Sequence, residues 1–257
     1  MRTIAVTGSA SGIGAATRRR LESSGARVIG VDVRDAEVTG DLSAGAVRSA
    51  ALEGVARLAD GRLDGVVACA GLGPQVEDRR AIASVNYFGA VAMLDGLRGL
   101  LAAGVAPAAV AISSNSATIS PGADGAIAAA CLAGDEPEAR RLAAGDVPGA
   151  TVYAASKLAL ARWIRRSAVT PEWAGAGIRL NAVAPGATLT PLLQAGLDDE
   201  RLGGAIRGLP IPLGGFGRPD QLAAAVAFLL SDDASFCCGS IFFVDGGSDA
   251  LLRSERF

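Results

Sequence analysis

Two residues that could move a proton together, Tyr153 and Lys157, stand four positions apart in Tyr153-Ala154-Ala155-Ser156-Lys157. At that spacing a phenol and an ammonium share one face of a helix. A fixed cation beside a phenol favours the phenolate, so the pair predicts a tyrosine pKa lowered toward neutrality, where a general acid or base works. Both residue types are scarce. The chain has 2 tyrosines, and of its 24 cationic side chains only Lys157 is a lysine, which marks a task unsuited to the bulkier guanidinium. Histidine is absent, excluding Ser-His-Asp triads, Cys-His pairs, imidazole bases and His-based zinc sites. Cys69, Cys131, Cys237 and Cys238 form no CxxC pair and read as free thiols, so no metal is expected.

A second cluster is suited to binding. Thr7-Gly8-Ser9-Ala10-Ser11-Gly12-Ile13-Gly14 follows an apolar strand-like run and opens a helical one. Glycine permits positive φ and close approach of the backbone to a pyrophosphate, and the helix N-terminus offers unpaired N–H groups with partial positive charge. The next apolar run ends in Asp32, 18 residues beyond Gly14. A carboxylate there accepts hydrogen bonds from the adenosine ribose hydroxyls and repels a 2′-phosphate. NAD(H) is therefore expected over NADP(H), a preference that Arg34, two residues on, would soften.

The elements that must position these groups are legible as alternating runs. Thr3 to Thr7, Arg27 to Asp32, Leu63 to Cys69, Ala108 to Ser113, Ile178 to Val183 and Ser240 to Val244 read as strands, with a short seventh at Val38 to Leu42. Amphipathic stretches at 14–24, 44–58, 82–101, 151–168 and 220–230 read as helices between them. Repeated βαβ units give one doubly wound α/β domain with a mostly parallel sheet of about seven strands, binding ligands beyond the strands' carboxyl ends. The Gly- and Pro-rich stretch 120–150, with two short helical patterns around 126–133 and 137–144, reads as a surface insertion beside the cleft. With a formal charge of −2 and no basic run, the expected partner is a small molecule rather than nucleic acid. No apolar run reaches membrane-spanning length and no signal peptide is visible, so a soluble cytoplasmic protein is expected.

Taken together, TGxxxGxG, a serine after the strand at 110–113, YxxxK and Pro185-Gly186-Ala187-Thr188-Leu189-Thr190 resemble the classical short-chain dehydrogenases/reductases, from Thr3 to Asp245-Gly246-Gly247. The resemblance implies hydride transfer between NAD(H) and a secondary alcohol or ketone. Tyr153 is implied as proton donor and acceptor, Ser114 as a hydrogen-bond donor to the substrate oxygen, and Asn86 as holder of a water in a relay through Lys157. It further implies that Asp41 and Leu42 flank the adenine, Ala70 and Gly71 line the cofactor, and Thr188 and Thr190 meet the nicotinamide carboxamide. Within the family the chain is similar to the bacterial 3α-hydroxysteroid dehydrogenase/carbonyl reductase branch. The stretches Cys69 to Gln75, Ser84 to Ala90 and Pro191 to Leu197 carry that likeness, which implies an alicyclic or steroid-like substrate.

Two departures stand out. Ala68-Cys69-Ala70-Gly71 lacks the asparagines usual at that place, and Ser114 lies 39 residues before Tyr153, a gap opened by the insertion. The insertion precedes the Tyr-bearing helix, whose outer face commonly forms a subunit contact in this family, so a homodimer or homotetramer with an altered interface is expected. Rival readings are a non-catalytic dinucleotide sensor, a sugar-nucleotide epimerase and a dehydrogenase of small non-steroid alcohols. The sensor would need no Tyr153, Lys157, Ser114 and Asn86 together, and the epimerases usually carry TGxxGxxG.

Overall fold

A computed structural model describes residues 1–256. Short apolar runs that must bury both faces form the strands β1 (Thr3–Thr7), β2 (Arg27–Asp32), β3 (Val38–Thr39), β4 (Gly65–Ala68), β5 (Ala108–Ile112), β6 (Arg179–Pro185) and β7 (Ile241–Val244). All pair in parallel, in the order β3-β2-β1-β4-β5-β6-β7. Parallel strands require crossover helices, which cover the sheet on both sides. In chain order the helices are α1 (Gly12–Ser23), α2 (Gly45–Leu58), α3 (Arg79–Ala83), α4 (Ala90–Gly96), α5 (Arg98–Ala102), α6 (Ser116–Ile119), α7 (Ala126–Leu132), α8 (Glu136–Ala143), α9 (Gly149–Ser167), α10 (Pro191–Asp198), α11 (Gly203–Arg207) and α12 (Pro219–Leu230), with α13 (Ser248–Leu252) following the last strand. The period of two along β1 divides the core. Ala5 joins Val55, Met93, Leu94, Leu160 and Ile164 on one face, whereas Ile4 and Val6 join Leu21, Leu222 and Val226 on the other.

The seven strands lie where the apolar runs place them, most trimmed at an end, with β3 stopping at Thr39 and β6 running on to Pro185. The long helix expected over 82–101 is broken. It is α3, a π-helical turn Ser84–Gly89, α4 and α5 in succession, and such wide turns concentrate at functional sites. Close approach explains one glycine in it: a Cβ on Gly96 would lie 2.6 Å from Leu52 of α2.

Residues 120–150 form more than a surface loop. α7 and α8 make a helical pair that packs across α9 and α3, with Ile127, Ala128, Cys131, Ala139 and Ala143 buried. Because α7 and α8 leave the chain after α6 and return it at Gly149, the long gap in sequence costs no distance in space. The return is tight, since a Cβ on Gly149 would stand 2.2 Å from the Pro74 carbonyl oxygen.

Candidate active site

β1 ends at the switch point of the sheet, between β2 on one side and β4 on the other, where a doubly wound fold leaves its crevice. The loop beyond it fits a pyrophosphate by its missing atoms. A Cβ on Gly8, whose φ is +68°, would lie 2.8 Å from the Ala70 backbone, and one on Gly14 would sit 2.0 Å from the Gly8 carbonyl oxygen. Only glycine permits this wrapping. Ser11 precedes α1 without capping it through its side chain, and no acidic residue occupies the first turn, which contains Gly12, Ile13 and Gly14. The helix N-terminus therefore keeps its N–H groups and its partial positive charge for an anion.

The adenosine end is built by the carboxyl ends of β2 and β3. Asp32 accepts the Ala10 N–H at 2.9 Å and the Val33 N–H at 2.7 Å, which aims its carboxylate along the glycine loop. The Gly40 N–H donates to the Asp32 carbonyl at 2.9 Å and so brings the turn 40–43 alongside. Within that turn Asp41 is exposed and accepts the Ser43 N–H at 2.9 Å, whereas Leu42 is buried against Gly89. Arg34 is solvent-exposed with Asp35 nearest, at 3.9 Å, and Arg18 is held by Glu37 at 2.6 and 3.0 Å.

At β4, the place of the missing asparagines is taken by Thr7. Its hydroxyl accepts the N–H groups of Cys69 and Ala70, each at 3.0 Å, tying β1 to the segment before Gly71. The motif containing Thr7 was visible in the sequence but this bridge was not, because the lost asparagines gave no hint of what replaced them. At the end of β6, Pro185 accepts the Asn115 N–H at 2.9 Å, and Gly186 passes so close to Asp245 that a Cβ would lie 2.7 Å away. The Thr188 hydroxyl donates to the Gly186 carbonyl at 3.0 Å, and Thr190 caps α10 by accepting the Leu193 N–H at 3.1 Å. Thr190 also meets the glycine loop, since a Cβ on Gly12 would lie 3.2 Å from its methyl group.

The reactive groups meet at the carboxyl end of β5. Lys157, one turn beyond Tyr153 on α9, reaches across to donate to the Ile112 carbonyl at 2.8 Å, with its Nζ 5.9 Å from the centroid of the Tyr153 ring. The Ser113 hydroxyl holds α9 from below by donating to the Lys157 carbonyl at 3.0 Å. Ser114 faces the Tyr153 phenol and accepts both the N–H and the hydroxyl of Ser116, at 3.2 and 2.9 Å. Those two bonds leave its own proton free to donate. Asn86, in the π-helical turn, is completely buried, and a Cβ on Gly71 would touch both its Oδ1, at 3.2 Å, and the Lys157 Nζ, at 3.5 Å. Its amide is already engaged, accepting the Leu72 N–H at 2.7 Å and donating to the Leu72 carbonyl at 3.0 Å.

One expectation is corrected. Burial pushes the Tyr153 phenol above its ordinary pKa, with the Ser114 hydroxyl pulling the other way. The lysine does not win because it is desolvated too: burial lowers its pKa from 10.5 to about 8. Burial also pushes the neighbouring Cys69 thiol up to about 12, which keeps it neutral and unreactive at pH 7. Among the described residues no group of His, Cys, Asp and Glu could hold a metal ion, and no helix is long and apolar enough to cross a membrane.

A doubly wound sheet, a glycine-lined anion cradle at its switch point and, beside it, buried Ser114 and Lys157 against a half-buried Tyr153 define a dinucleotide-dependent oxidoreductase. The sequence pattern described as the NAD dependent epimerase/dehydratase family matches residues 4–188, and that described as enoyl-(acyl carrier protein) reductase matches residues 140–249. Full-length relatives decide between them. The chain is 44% identical over 259 residues to the 3-alpha-hydroxysteroid dehydrogenase/carbonyl reductase of Comamonas testosteroni, covering 100% of both chains. It is 36% identical over 277 residues to the cis-4-hydroxycyclohexanecarboxylate dehydrogenase of Sinomonas cyclohexanicum, covering 97% of each. The crystal structure of the 3-alpha-hydroxysteroid dehydrogenase from Pseudomonas sp. B-0831 complexed with NADH superposes with a TM-score of 0.96 at 46% identity, over 99% of this chain and 100% of that one. This chain belongs to the short-chain dehydrogenase/reductase family.

Proposed function

We propose that this protein moves a hydride between NAD(H) and a secondary alcohol or ketone of alicyclic, steroid-like shape. The convergence of Tyr153, Lys157 and Ser114 at the end of β5, next to the glycine cradle, carries this reading. The bound dinucleotide would supply or accept the hydride. In the reductive direction Ser114 donates a hydrogen bond to the substrate oxygen and Tyr153 gives it a proton. A phenol with a raised pKa suits that acid role, because its proton stays in place until the oxygen becomes basic. Lys157, with Asn86 at its side, returns the proton to Tyr153. Oxidation reverses each transfer.

The cofactor assignment rests on Asp32 beside the glycine loop, with Arg18 committed to Glu37 and Arg34 turned to solvent, so a 2′-phosphate would meet a carboxylate without a free cation. The NADH in the related crystal structure supports the same choice. For the substrate, the segment after β6 leaves Leu189, Leu192, Leu209 and Leu213 exposed, an apolar surface suited to a ring system. The relatives' names, one a steroid and one a cyclohexane acid dehydrogenase, agree with a ring ketone. The four free cysteines fit a reducing, cytoplasmic setting. The protein works as a homo-oligomer in this reading, through the face formed by β7 and α12.

Tyr153→Phe should lower kcat by about 10²- to 10⁴-fold while NADH still binds. Turnover of 3α-hydroxysteroids and smaller cyclic alcohols, followed by NADH absorbance, checks it. Normal turnover by the variant would remove Tyr153 from the chemistry, and faster reaction with NADP⁺ than with NAD⁺ would overturn the role of Asp32.

A further inference from the structure

Arg48 is a buried cation that the chemistry above does not use. It stands in the first turns of α2, 7% exposed, and spends its guanidinium on three partners. Its Nε donates to the Leu42 carbonyl at 2.7 Å and its Nη2 to the Ser43 carbonyl at 3.0 Å. Its Nη1 and Nη2 also grip the Glu136 carboxylate at 2.7 and 2.6 Å. Glu136 is the first residue of α8 and therefore belongs to the insertion. A second link lies alongside, where Arg140 of α8 donates to the Ser84 hydroxyl of the π-helical turn at 2.7 Å.

These contacts form a chain from the insertion to the adenosine end of the cleft. The carbonyls that Arg48 holds belong to the turn joined to Asp32 through Gly40, and Leu42 in that turn is wedged against Gly89. A guanidinium this buried needs a counter-charge to stay where it is, and Glu136 supplies it in bidentate geometry. Without that carboxylate, Arg48 would turn outward to be solvated and release both carbonyls.

We propose that Glu136 is a positioning residue for the cofactor: acting through Arg48, the insertion fixes the turn at Leu42 and so sets the affinity for the adenosine half of the dinucleotide. The inference rests on the reading that Asp32 and Leu42 face the adenosine. It gives the insertion a task beyond covering α9, and it separates affinity from chemistry, because the hydrogen bonds of Arg48 and Glu136 reach neither Tyr153 nor Lys157.

The test is the dissociation constant of NADH, read by its fluorescence, for the intact protein and for Glu136→Gln, Glu136→Ala and Glu136→Asp. The glutamine variant keeps the volume and serves if the alanine variant is unstable. Loss of the carboxylate should weaken NADH roughly tenfold, with AMP weakened by the same factor in competition. The aspartate variant should recover part of the loss, and kcat at saturating NADH should stay within about twofold of normal. Unchanged NADH and AMP affinity in the glutamine variant, with or without a lower Tm, would overturn the proposal and leave the ion pair a packing contact. Failure of the unmodified protein to bind NADH would instead overturn the cofactor reading itself.

Discussion

Lys157 shows how a functional side chain can oppose the stability of the fold that holds it. Its pKa of about 8, against an ordinary 10.5, means that between those values the unfolded chain holds a proton that the folded chain has released. Stability must then rise with pH across that window, and below pH 8 the folded state carries the full cost of burying the ammonium. Replacing Lys157 with Met should stabilise the protein at pH 7 by on the order of 2 kcal/mol, after subtracting the lost bond to Ile112. It should also flatten the stability profile between pH 8 and 10.5 and abolish turnover. Thermal melts at pH 7 and pH 10 decide the matter, and a variant melting lower than the parent at pH 7 would show that the ammonium is better compensated than its surroundings imply. The sequence revealed the pairing of Tyr153 with Lys157, because spacing and scarcity are written in it. It predicted the wrong direction for the phenol, because spacing reports the charge one turn away and is silent on the desolvation that both groups undergo.

At the level of elements, βαβ rhythm was readable because parallel strands, buried on both faces, are short apolar runs between amphipathic helices. The breaks in 82–101 were not, since a π-helical turn preserves apolar periodicity while shifting its phase. Equally hidden was the clasp that α13 puts on the corner after β5, because its members are far apart in the chain. Asp249 accepts the Thr118 hydroxyl and is itself held by Arg253 at 2.9 and 3.0 Å. Its N–H donates to Asp245 at 2.7 Å, and Asp245 also receives Asn115 at 3.3 Å. Asn115 follows Ser114 directly, so the clasp fixes the angle at which the Ser114 hydroxyl meets a substrate. Asp249→Ala should therefore lower kcat roughly tenfold through misplacement of that one donor, with NADH affinity unchanged. Steady-state rates beside fluorescence titration check this split. An equal loss in NADH affinity would place the damage in the cofactor site and not at Ser114.

For the molecule as a whole, the insertion decides which surfaces remain to meet a second copy. The sequence marked its limits through glycine and proline but not its direction of packing. With α7 and α8 laid across α9, much of that helix's outer face is covered from within the same chain, which disfavours it as the place where a second copy would dock. The opposite margin of the sheet is open. β7 is an edge strand, flanked by exposed Phe228 on α12, Phe242 on β7 and Phe236 before it, with the first two rings 6.3 Å apart. An apolar edge left in water invites uncontrolled strand pairing, and a two-fold contact that matches β7 and α12 with their counterparts closes it at a dimer, since each patch meets its own copy. A charge at the centre of that contact would be buried unpaired in both subunits, at several kcal/mol. Phe242→Asp should accordingly convert a dimer into a monomer in sedimentation velocity at micromolar concentration, while Tyr153 and Lys157, at the far side of β6, keep their geometry and the monomer its turnover. A parent protein that sediments as a monomer, or a variant that remains dimeric, would mean that β7 is shielded in some other way.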